Sequence, residues 1–166
     1  MLHKASIAGM TMDPESNNPI VFLRTDDGGE VIPIWIGLLE ATSIASVLQD
    51  IQFDRPMTHD LFKNFMGRVH VELMKIEICD IRDNTFFARM HFESKESVIE
   101  MDARPSDAIA LALRLSAPIY IDDVVIEKSK TQEHVQAEAS DQSQEGKKWA
   151  DYLEKLSPDA FGKYKV

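Results

Sequence analysis

The chain has 166 residues, 44% of them hydrophobic, and a formal net charge of −10, which suits one domain with a real core plus a short appendage. No run approaches the roughly 18 consecutive apolar residues of a membrane span, Met1–Ser6 does not begin a signal peptide, and a lone Cys79 excludes an internal disulfide, so a reducing cytoplasm is the expected compartment. Residues 1–130 hold 13 Lys and Arg against 21 Asp and Glu, which argues against static binding of a polyanion, because such affinity comes from cations that displace counterions.

Residues 2–12 read as a first strand, and the Pro- and Asn-rich stretch 13–19 as a loop. Ile20–Leu23 and Val31–Ile36 flank Asp26-Asp27-Gly28-Gly29, the signature of a hairpin whose turn uses positive φ. Pro33 has no N–H to give a neighbour, which places its strand at a sheet edge or turns that position outward. Ile32, Ile34 and Ile36 share one strand face; Trp35 lies on the other with Val31 and Pro33 and reads as core or interface packing. Residues 38–51 read as a helix with Ala41, Ile44, Ala45, Val47, Leu48 and Ile51 on its apolar stripe and Glu40 in its first turn.

A second helix is expected from Leu61 to Met66, introduced by Arg55-Pro56-Met57-Thr58-His59-Asp60. Val69–Ile81 reads as a long strand whose alternation changes phase, so a bulge is expected near Met74. Asp83-Asn84 turns the chain into Thr85–Glu93, where Phe86, Ala88, Met90 and Phe92 form one apolar face and Phe87, Arg89 and His91 an exposed or subunit-facing one. Ser97–Asp102 forms the next strand. It delivers Asp102 to the stretch around which the chain is organised, Ala103-Arg104-Pro105-Ser106-Asp107 and a helix running to Leu115.

That helix is apolar on nearly every side, with Arg114 its only charge after Asp107. Such a helix belongs inside a domain. Ser116-Ala117-Pro118 ends it. Ile119–Ile121 and Val124–Ile126 read as the last short strands, with Asp122-Asp123 a turn between them. From Ser129 to Gly146 the composition is that of a polar linker, and beyond it Trp149, Tyr152, Leu153 and Leu156 repeat at helical spacing.

The starts of the two internal helices share a grammar of Arg-Pro, a hydroxyl and a carboxylate: Arg55, Pro56, Thr58, Asp60, and Arg104, Pro105, Ser106, Asp107. One account makes Thr58 and Ser106 ordinary N-caps and the acids complements to the helix dipole, as Glu40 is in the first helix. The other makes the two helix starts, with Arg55 and Arg104, an anion site.

These same stretches carry a resemblance. Val31-Ile32-Pro33-Ile34-Trp35-Ile36-Gly37 with Glu40-Ala41, then Arg55–Leu61, then Asp102–Ala112, in that order over the first 128 residues, resemble the bifunctional nuclease domain family. The resemblance implies an α+β domain and a nuclease activity on DNA and RNA. It also keeps Glu40 among the candidate site residues.

The expected architecture is α+β, an antiparallel sheet packed around two or three helices. The domain covers residues 1–128, a polar linker 129–146, and a helical tail 147–166 docks on the domain or on a neighbouring subunit. For chemistry, Asp60, Asp102, Asp107 and Glu40 are hard oxygen donors suited to Mg²⁺ or Mn²⁺, with Asp60 and Asp102 the candidate metal ligands and His59 a candidate general base. Arg55, Thr58, Arg104 and Ser106 are the candidate phosphate contacts, DNA or RNA a transient substrate, and a homo-oligomer the expected assembly. The competing reading of the same groups is an ion-pair network that locks the two helix starts together, in a non-catalytic module for a small anion or a protein partner.

Overall fold

A computed structural model describes residues 1–136. The strands are β1 (Leu2–Met12), β2 (Pro19–Thr25), β3 (Val31–Trp35), β4 (Glu72–Arg82), β5 (Thr85–Glu93), β6 (Val98–Ala103) and β7 (Ile119–Asp122). The helices are α1 (Leu38–Leu48), α2 (Thr58–Val69), α3 (Pro105–Leu115) and α4 (Asp123–Gln136). The strands form one sheet in the order β3-β2-β1-β7-β4-β5-β6. Neighbours are antiparallel except β4 and β7, which run parallel. The fold is α+β.

The order of strands explains why α3 has no polar side. The chain leaves the sheet at its β6 edge, crosses the face of β5 and β4 as α3, and re-enters in the middle as β7. A helix laid over the sheet this way and flanked by α1 has little surface left for water, and Ala108, Ile109, Ala110, Leu111 and Ala112 are all buried. The three alanines let the backbones approach. Ile109, fully enclosed, alone contributes about 1.5–3 kcal/mol of transfer free energy.

Strand alternation supplies the other half of the core. Val21, Leu23, Ile32, Ile34, Ile76, Ile78, Met90, Ile119 and Ile121 are buried and belong to one cluster with Ala41, Ile44 and Ala45 of α1. The opposite face carries Lys75, Glu77, Arg89, His91, Glu100 and Asp102, aligned by the register Glu77↔Arg89↔Asp102 and Lys75↔His91↔Glu100. The expected bulge is present between Leu73 and Lys75, leaving Met74 exposed, and a second lies between Ile78 and Asp80. Each lets residues three apart, Leu73 with Ile76 and Ile78 with Ile81, point into the same core. Asp83 and Asn84 both have positive φ, 47° and 59°, the geometry of a tight two-residue hairpin turn. Pro33 lies on edge strand β3.

Several expectations are corrected. Val124–Ile126 is not a strand: α4 begins at Asp123 and continues to Gln136, through the first part of the stretch read as linker. The β-branched residues favoured a strand locally, but Val125, Ile126 and Ser129 are all buried, a helical spacing satisfied by packing on β4 and β7. Trp35 is 42% exposed and donates its indole N–H to Asp13 at 3.0 Å, so of the two expected roles, core or interface packing, the core one is not met. The first helix stops at Leu48, itself half exposed, three residues short of Ile51. His91 is nearly enclosed, with Nε2 3.1 Å from the Glu77 carboxylate, so of the two expectations for that strand face, exposed or subunit-facing, the exposed one is not met at this residue. The helical tail 147–166 lies outside the described residues.

Candidate functional site

Three helices meet at one end of the sheet's covered face, and the contacts between them are polar. Gly37 precedes α1 and Glu40 lies in its first turn. A Cβ at Gly37 would fall 2.1 Å from the Glu40 carboxylate oxygen, so glycine there leaves the acid room to fold back toward the helix start. The Glu40 Oε1 atom accepts a hydrogen bond from Arg104 Nη1 at 2.8 Å. Arg104 also grips Asp107 with two donors, Nε to Oδ2 at 2.7 Å and Nη2 to Oδ1 at 3.1 Å.

His59, in the first turn of α2, bridges the other two helices. Its Nε2 is 3.0 Å from Asp107 Oδ1 and its Nδ1 is 2.8 Å from the Ser43 hydroxyl on α1. Burial pushes the Asp107 carboxyl up, but the hydrogen bonds from Arg104 and His59 outweigh it and hold the group below the ordinary carboxylate value. An ionised Asp107 only accepts, so the neutral imidazole that fits it carries its proton on Nε2 and turns the Nδ1 lone pair to Ser43. The Arg104 guanidinium is held above its usual value, first by its hydrogen bond to Asp107 and then by Glu40. It stays charged.

A cavity of about 290 Å³ opens over these groups, lined by the polar Ser43, His59, Arg104, Asp107 and Glu40 together with the apolar Leu39, Phe53 and Met57. An apolar wall beside a few convergent polar groups is the usual make-up of a ligand site. Thr58 lines it as well. Arg104 is 64% exposed, and exposed ion pairs contribute only about 0–1 kcal/mol. An incoming anion can therefore take a share of this guanidinium at small cost.

The remaining expected residues have other tasks. Neither Thr58 nor Ser106 caps its helix: the N-caps are Met57 and Arg104, and neither makes a side-chain cap bond. At α2 the Asp60 carboxylate does the capping, accepting from the Met57 amide at 3.0 Å. Ser106 is buried behind Pro105, which occupies the first helical position. Asp60 also accepts from Arg114 Nε at 2.6 Å, and Arg114 Nη1 donates to the carbonyls of Ser43 and Ala110. Asp60 thus ties α2 to α3. Arg55 borders a neighbouring cavity that shares Ser46, Phe53 and Arg114 with the first. It is exposed and forms no ion pair among the described residues.

Asp102 is not part of this site. The register Arg89↔Asp102 puts it on the sheet face opposite the helices. Asp60 and Asp102 therefore do not converge, and among the described residues no group of three or more His, Cys, Asp or Glu is arranged to hold a metal ion. The two expected metal ligands, Asp60 and Asp102, are therefore not joint ligands of one Mg²⁺ or Mn²⁺ ion.

Ser43 and Arg114 are polar cavity residues that the sequence did not place among the candidates. Both left a signal. Ser43 follows Glu40 by three positions and so shares its helix face, and a single arginine on an otherwise apolar buried helix requires a carboxylate partner.

The bifunctional nuclease domain model matches residues 21–134. An uncharacterised protein of Mycobacterium tuberculosis is 32% identical over 159 residues, covering 93% of this chain and 95% of its own length. Bifunctional nuclease 1 of Arabidopsis thaliana is 26% identical over 109 residues, 63% of this chain and 33% of the plant protein. Bifunctional nuclease 1 of Oryza sativa subsp. japonica is 24% identical over 105 residues, 61% of this chain and 32% of its own length. No helix among the described residues is long and apolar enough to cross a membrane.

Proposed function

This chain belongs to the bifunctional nuclease domain family, and from that premise we propose that the three-helix cavity cleaves phosphodiester bonds of DNA or RNA. The observation that carries the reading is His59 held between Ser43 and Asp107 in an open cavity with a guanidinium at its mouth. His59 Nδ1 takes a proton during attack on phosphorus, Asp107 stabilises the imidazolium that forms, and Arg104 binds the non-bridging oxygens as negative charge builds on them. Leu39, Phe53 and Met57 give a base or sugar an apolar surface beside the scissile bond. The acidic surface makes contact with a polyanion brief, and with few cations to neutralise phosphates its affinity falls only weakly with added salt.

The test is cleavage of labelled single- and double-stranded DNA and RNA by wild type, His59→Ala and Asp102→Ala, each with and without a chelator. Cleavage that His59→Ala abolishes and Asp102→Ala retains is the expected result, and it survives chelation. Equal cleavage by wild type and His59→Ala overturns the assignment.

A second reading, a module that holds a small anion without cleaving it, is favoured by the exposed Arg55 and by an Arg104 already shared between two acids. Binding of a mononucleotide that Arg55→Ala weakens, in a protein that cleaves nothing, would select it.

A further inference from the structure

We infer that Ser43 is the nucleophile of this site and that cleavage passes through a covalent phosphoseryl intermediate. The inference rests on the phosphodiester reading above and goes beyond it by naming the attacking atom. Three hydroxyls in α1 lie within five residues. Thr42 back-bonds to the Leu38 carbonyl at 2.9 Å and Ser46 to the Ser43 carbonyl at 2.9 Å, the ordinary fate of a hydroxyl inside a helix. Ser43 departs from that pattern. Its Oγ meets His59 Nδ1 at 2.8 Å and borders the cavity.

Ser43, His59 and Asp107 therefore form a chain of hydroxyl, imidazole and carboxylate drawn from three different helices. The order of the ring nitrogens is reversed relative to the familiar hydrolase triad, with the acid on Nε2 and the hydroxyl on Nδ1, but the logic is the same. The carboxylate selects the tautomer that leaves a lone pair toward the hydroxyl. The frame is firm as well, because Arg114, 4% exposed, donates to the Ser43 carbonyl at 3.1 Å and fixes that turn of α1 against α3.

The chemistry balances without another reactant. As Ser43 Oγ bonds to phosphorus its proton passes to His59 Nδ1, and the P–O bond to the departing sugar breaks as that oxygen takes the proton from His59. Water then attacks the phosphoserine, giving its proton to His59. The Oγ–P bond breaks, and the proton returns to Ser43.

The test uses the full chain with a fluorophosphonate probe, which phosphonylates an activated serine whatever the natural substrate, alongside cleavage of labelled DNA and RNA. The expected result is one adduct per chain mapped to Ser43 by peptide mass. It is absent from Ser43→Ala, slowed about 100-fold in His59→Gln, within the range of general-base catalysis, and accompanied by loss of cleavage in Ser43→Ala. Circular dichroism of both variants separates this from unfolding. An adduct on Ser43 in a protein that cleaves no nucleic acid supports the nucleophile and overturns the nuclease reading. Full cleavage by Ser43→Ala with none by His59→Gln overturns the nucleophile and leaves water as the attacker. No adduct and no cleavage by wild type overturns both.

Discussion

Replacing Asp60 by alanine removes the carboxylate that faces Arg114 and leaves a guanidinium that is only 4% exposed without an anionic partner. Breaking a fully buried pair from one side costs about 3–5 kcal/mol. Asp60 itself is 33% exposed, so water reaches part of the vacated space and the lower end applies. The lost bond to the Met57 amide adds about 0.5–1 kcal/mol of capping. We expect Asp60→Ala to cost about 3.5–4 kcal/mol, a fall in Tm of roughly 7–16 °C for a chain of this size.

The reverse change, Arg114→Met, keeps the methylene packing and leaves a carboxylate that water can hydrate, so about 2 kcal/mol is expected from its lost charge-assisted bonds. The double variant should cost less than the sum of the singles by about 1–2 kcal/mol, the coupling of groups in contact. Urea unfolding of the four proteins measures all of this. Additive costs, or an Asp60→Ala variant that keeps its Tm and loses cleavage, would refute the argument and make Asp60 part of the chemistry.

Ile109→Ala should destabilise the domain by about 2–5 kcal/mol in urea unfolding, because the side chain is fully enclosed between helix and sheet with nothing free to collapse into the space. Asp107→Asn removes the charge that selects the His59 tautomer, and cleavage should drop by about 10²–10⁴-fold with the fold retained. Hydrogen bonds to Asp27 and Asp123 hold the His3 imidazole above its ordinary value. The stabilisation from that proton is complete below the unfolded value near 6.5 and is lost as pH rises through the higher folded value. The Tm gap between wild type and His3→Gln should therefore narrow as pH is raised from 6 toward 9, and a gap that widens would contradict it.

Legibility divided along a physical line. The burial of α3, the Asp-Gly hairpin, the bulge at Met74, the edge position of Pro33 and the inward face of Phe92, Met90 and Ala88 were all open to a reader of the chain, since each is a periodicity or a backbone constraint within about ten residues. Val124–Ile126 misled because β-branched residues state a local preference that packing on β4 and β7 overrode. Thr58 and Ser106 misled for a related reason. A hydroxyl before a helix caps only if the chain enters at that residue, and here it enters one or two residues earlier.

By itself the sequence determined an α+β domain, its central helix, and a shortlist of polar residues at the helix starts that included His59, Asp107, Arg104 and Glu40. Only the tertiary structure decided which of them meet. His59 and Asp107 are 48 residues apart, Arg104 and Glu40 64, and both pairs form because α3 crosses the sheet and brings its start against α1 and α2. The crossing begins where β6 ends, and in a strand successive side chains face opposite ways. That alternation, set by pairing with Arg89, turns Asp102 away while Asp107, five residues later and on the helix, reaches the histidine.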